Sequence, residues 1–110
     1  MEVKITETIN AVIIKLNGEL MLGSEANDFH EAIRDCVEKN KRNVIVDLSA
    51  VRFISSWGIG MLIHGYTTAQ NSGTSFKLAA VPDMINETFR KIKVDNVIPQ
   101  FNSVEDALKN

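Results

Sequence analysis

The sequence is short of the features that mark several large classes of protein. Cys36 is the only cysteine among 110 residues, so no intrachain disulfide can form, and a reducing, cytoplasmic setting is expected. No apolar run is long. The longest, Phe53 to Ile63, is broken by Ser55, Ser56, Gly58 and Gly60, far short of the roughly 20 residues a membrane-spanning helix needs. The chain opens directly in Met1-Glu2-Val3, and nothing there reads as a charged-then-apolar leader. Excess positive charge is missing too: the formal net charge is -2 and the isoelectric point about 5.6, which argues against a nucleic-acid surface. The one basic cluster, Lys39 to Arg42, reads as a solvated turn after a helix. Repeats, linkers and low-complexity segments are likewise absent, so residues 1–110 are expected to form one domain with one core.

What remains is an alternation of strand and helix patterns. Val3–Thr8 and Ala11–Leu16 are rich in β-branched residues and predict two neighbouring strands joined by a hairpin, with Gly18 ending the second. Ser24 is a good N-cap for a helix carrying Ala26, Phe29, Ile33, Cys36 and Val37 on one face. Cys36 on that face belongs to the core rather than to chemistry. Asn43–Leu48 is nearly continuously apolar, as in a strand covered on both sides. A loop from Ser49 to Ile54 is expected next, then a helix opening at Ser55 or Ser56 and running to about Gln70. Ser75–Ala80 predicts a strand, Pro82 opens a helix carrying Met84, Ile85, Phe89 and Ile92, and Asn96–Phe101 predicts a last strand. The capping box Ser103-Val104-Glu105-Asp106 starts a final short helix. Strands alternating with helices imply crossover connections: an α/β fold with a mixed, mostly parallel sheet and about four helices.

The usual catalytic constellations are not met. His30 and His64 fall on different helices with no second imidazole three or four residues away, and read as surface or boundary residues rather than metal ligands. Gly58-Ile59-Gly60 lacks the third glycine of a dinucleotide-binding turn, because Ile63 stands in its place. Ser56 follows Ile54 by two residues where a hydrolase nucleophile elbow needs glycine, and no general base is identifiable. Neither an enzyme, a metal site nor a cofactor is indicated.

The segment Asp47-Leu48-Ser49-Ala50-Val51-Arg52-Phe53-Ile54-Ser55-Ser56-Trp57-Gly58-Ile59-Gly60 resembles the signature of the STAS family, the anti-sigma-factor-antagonist fold, in which a strand ending D-L-S leads through F-x-D-S-S-G-L-G into a helix. Gly18-Glu19-Leu20 is similar to the family's G-E-L-D loop, and Ser103 to Leu108 to its terminal S-x-E-E-A-L helix. The resemblance implies a non-enzymatic switch. In bacterial members the serine that aligns with Ser56 is phosphorylated by an ATPase-fold serine kinase, often the anti-sigma factor itself. A PP2C-type phosphatase reverses the modification. The process controlled would be transcription or one such as biofilm formation. Two family aspartates are replaced, by Ser55 before the phosphosite and by Met21 in the loop, and Trp57 stands where a small residue is usual.

Helix physics is compatible with such a switch. A helix N-terminus carries unpaired N–H groups and a partial positive charge, so a phosphate on Ser56 is accommodated there while adding nearly two negative charges. At 100° per residue, Ile59, Leu62, Ile63 and Tyr66 share one face, expected on the sheet, and Trp57, Met61 and His64 the opposite face. Trp57, Met61 and His64, with Met21 from the loop, are expected to contact a partner. The alternative is a STAS module that holds a nucleotide or small anion at the same helix N-terminus without being phosphorylated.

Overall fold

The computed structural model describes residues 2–20 and 26–110, so Met21 and the predicted Ser24 cap lie outside the described residues. The hairpin forms as the β-branched pattern predicts. Strand β1 (Glu2–Glu7) pairs antiparallel with β2 (Ala11–Leu20), with Val3 opposite Leu16 and Ile5 opposite Ile14. Thr8 closes the turn: the Ala11 N–H donates to Thr8 Oγ1 at 3.0 Å, and the Thr8 N–H to the Ala11 carbonyl at 2.8 Å. Gly18 does not end β2. With φ of 102° it takes a backbone conformation open chiefly to glycine, beside a register shift against the next strand, and the strand runs on to Leu20.

That next strand, β3 (Asn43–Ile54), is the axis of the fold. It lies parallel between β2 and β4 (Ser75–Ala79), and the two-residue β5 (Gln100–Phe101) adds parallel to β4, giving the order β1-β2-β3-β4-β5. Val44, Ile45 and Val46 are all fully buried, because both faces of the sheet are covered. Val44 and Val46 meet the main core, formed with α1 (Ala26–Glu38), α2 (Ser56–Asn71) and α3 (Asp83–Lys91). Ile45 points the other way, to a smaller cluster with Ala79 and Ala107 of α4 (Val104–Lys109).

Two further sequence expectations are corrected. Residues 49–54 are strand rather than loop. Pairing with β4 stops at Asp47, but β3 continues along β2 alone, with Val51 opposite Gly18 and Ile54 opposite Leu20. The Asn96–Phe101 strand shrinks to Gln100–Phe101, preceded by a 3-10 turn over Val94–Asn96. Of the apolar residues that the third helix pattern carries, Ile85 and Phe89 are buried in α3, while Met84 and the C-cap residue Ile92 are exposed.

Three local devices hold the helices. At the α1–α2 crossing, a methyl group on Gly65 would fall 2.6 Å from Phe29 Cε2 and 2.7 Å from Ile33 Cδ1, so the helices approach as closely as they do because this residue has no side chain. On the other face, Ser103 Oγ accepts from the Asp106 N–H at 3.1 Å, as the capping box predicts. The buried Lys77 ammonium donates to the Ala107 carbonyl at 3.0 Å. Burial lowers its pKa.

Candidate functional site

The overhang of β3 beyond β4 carries the chain into α2, and the serine pair sits at that junction. Val51 and Ile54 anchor the overhang in the core, while Arg52 and Phe53 face out. Ser55 is the N-cap of α2. Its backbone is extended, with φ of -94° and ψ of 174°; its Oγ accepts from the Gly58 N–H at 3.3 Å, and its carbonyl from the Ile59 N–H at 3.0 Å. Ser56 is the first helical residue and is exposed. The two neighbouring serines therefore do different work: one caps the helix, and the other presents a hydroxyl to solvent over its positive end. The first turn of α2 contains no acidic side chain that would repel a phosphate there.

The structure rotates α2 from the orientation read off its periodicity. Its buried line is Gly58, Met61, Leu62, Gly65 and Ala69, about 90° around the helix from the expected one at 100° per residue. Met61 is 4% exposed and belongs to the main core, so it is not part of a surface patch. Ile63, expected inside, is 40% exposed. The cause is the small residues. Gly58, Gly65 and Ala69 contribute little hydrophobicity to a helical wheel, but they are where a helix can come closest to its neighbours. Trp57, at 71% exposure, and His64 do face outward as expected, and the outward line is completed by Ser56, Gly60, Ile63 and Thr67. Phe53, 49% exposed at the end of β3, is an apolar surface residue of the same strand–helix segment that sequence periodicity did not single out.

The two histidines, read as isolated, are neighbours. Docking of α1 on α2 sets the His30 and His64 rings edge-to-face with centroids 4.4 Å apart. The His30 pKa is lowered, first by burial and then by the charges of His64 and Arg34. Nothing local could have shown this, since the two residues lie 34 positions apart on separate helices. Among the described residues, no group of three or more His, Cys, Asp or Glu side chains is placed to hold a metal ion. Cys36 is buried, and burial pushes its thiol up to about 11, which leaves it protonated and unreactive at neutral pH. No helix among the described residues is long and apolar enough to cross a membrane.

Known proteins resemble this chain in sequence or in fold. An anti-sigma-F factor antagonist of Mycobacterium tuberculosis, RsfB, is 27% identical over 108 residues, which span 96% of this chain and 85% of that protein. An anti-sigma factor antagonist from Mycobacterium paratuberculosis superposes with a TM-score of 0.81 at 21% identity, covering 98% of this chain and 91% of the other. The Bacillus cell fate determinant SpoIIAA, solved in its phosphorylated form, superposes with a TM-score of 0.75 at 15% identity over 98% and 97% of the two chains. The family model for the STAS domain matches residues 1–107. With the mixed five-stranded sheet, the four helices and the serine-bearing strand–helix junction in place, the chain belongs to the STAS domain family.

Proposed function

We propose that the protein is a non-enzymatic, cytoplasmic partner-switching regulator controlled by reversible phosphorylation of Ser56. The observation that carries this reading is the division of labour at the helix start. Ser55 supplies the cap, so Ser56 can be modified without the helix losing it. The partner is a serine kinase of the anti-sigma-factor type, which docks on the outward line of α2 around Trp57, and a PP2C-type phosphatase restores the free hydroxyl. The anti-sigma antagonist relative and the phosphorylated SpoIIAA support this assignment. Phosphate at Ser56 acts through charge and bulk on the docking surface. It does not melt α2, because negative charge at a helix N-terminus is favourable by roughly 0.3–1 kcal/mol.

Phosphopeptide mass spectrometry on protein recovered from its source cell tests the assignment. One phosphate is expected on the peptide containing Ser55 and Ser56, abolished by Ser56→Ala. Ser55→Ala should keep the phosphate and lower stability by about 1 kcal/mol, the usual cost of a lost cap. Undiminished phosphorylation of the Ser56→Ala protein would overturn the reading.

A further inference from the structure

A second polar feature lies away from the serine junction, in the groove between α1 and α2. A cleft of about 240 Å³ opens there, lined by Asn27, His30, Ile33 and Arg34 of α1 and by His64 and Thr68 of α2. Every titratable side chain on its wall is a base, and its other polar groups are an amide and a hydroxyl that can donate. Among the described residues Arg34 forms no salt bridge, whereas Lys39 of the same helix pairs with Glu7 at 2.9 Å and Asp35 at 3.1 Å. On α2, His64 is the sole ionisable group apart from the Tyr66 phenol. The carboxylates of α1 lie elsewhere: Asp28 borders the groove toward β1, and Glu31, Asp35 and Glu38 line a separate surface hollow that Arg34 also edges. The charges that His30 senses are those of His64 and Arg34, both of like sign to its own.

We propose that this cleft binds a small dianionic oxyanion, of the phosphate or phosphomonoester class, between His30, His64 and Arg34, with Asn27 and Thr68 donating to its remaining oxygens. Two imidazoles held edge-to-face at 4.4 Å beside a guanidinium repel one another once protonated. An anion placed among them turns that repulsion into attraction and draws protons onto the rings. The site is separate from the helix start, because His64 lies eight residues beyond Ser56, about 12 Å along the axis at 1.5 Å per residue. It does not depend on whether Ser56 is phosphorylated.

Coupling to protons gives a test that a structural histidine pair would fail. Sulfate keeps both charges between pH 5.5 and 8 on ordinary acid–base grounds, so any pH dependence of its binding belongs to the protein. If binding raises the His30 pKa by one unit, affinity rises about tenfold from the alkaline to the acidic limit. The experiment is an NMR titration of the full chain with sulfate, inorganic phosphate and a simple phosphomonoester, at ionic strength matched with chloride, following the imidazole protons of His30 and His64. Saturable shifts of both rings, tighter at low pH, are expected. Arg34→Gln, an exposed change that leaves the packing intact, should abolish them, and Lys109→Gln, on the far face, should not. Saturation by phosphate marks a free-anion site, and saturation by the monoester alone marks an organophosphate site; either supports the proposal. No saturable shift, equal loss in Lys109→Gln, or a zinc complex of the two imidazoles that excludes sulfate would overturn it.

Discussion

At Gly65 a hydrogen stands where any other residue would press a carbon against Phe29 and Ile33, both buried. At 2.6 and 2.7 Å a core side chain or a helix must shift to admit the methyl group, so Gly65→Ala should lower stability by about 1–3 kcal/mol as an overpacked crossing, despite the gain in helix propensity. Urea unfolding of that variant measures it, and an unchanged midpoint would mean that the two helices slide apart at no cost. Trp57 and Met61, four residues apart on α2, form the complementary pair. Truncating exposed Trp57 to alanine should change stability by no more than about 0.5 kcal/mol while weakening the partner complex by about 2 kcal/mol or more. Met61→Ala, which empties a core position, should cost about 2–5 kcal/mol of stability and leave affinity per folded molecule unchanged. A Met61→Ala protein that kept its stability but bound its partner more weakly would return α2 to the orientation expected from periodicity.

At the level of elements, the sequence was most legible where one residue type answers to one physical demand. The apolar Val44-Ile45-Val46 run reads as a strand covered on both faces, and Ser103 ahead of Asp106 as a helix start, and both are found. It misled where the deciding fact was a neighbour. Residues 49–54 mix Ser49 and Arg52 with Val51 and Ile54 and have no clean period of two; they are strand because β2 happens to run alongside. Helix α2 is apolar nearly all round, with Trp57, Ile59, Met61, Leu62, Ile63 and Tyr66 pointing in most directions. A helical wheel therefore weighs the large side chains and overlooks the glycines that set the actual contact line. The serine junction was legible from resemblance, and the helix start at Ser56 with Ser55 as its cap gives the two serines separate roles on physical grounds. The His30–His64 pair was illegible because it exists only after two helices dock.

For the whole molecule, the proposed switch site lies where the central strand of the sheet passes into a helix. β3 is buried along its first half and projects past β4 along its second, still paired with β2, so the serine junction follows directly on a strand of the sheet and not on a loop. A phosphate there has the helix end to stabilise it and no acidic side chain in the first turn of α2 to oppose it. Its effect should accordingly appear in binding and not in folding. The most direct test is calorimetric titration of the cognate kinase-type partner with the unmodified and the Ser56-phosphorylated protein, after melting curves confirm that both are folded. The account predicts at least a tenfold weaker complex for the phosphorylated form, about 1.4 kcal/mol, with a melting temperature unchanged or slightly raised. Equal affinities for two well-folded forms, or a phosphorylated form that unfolds, would contradict it.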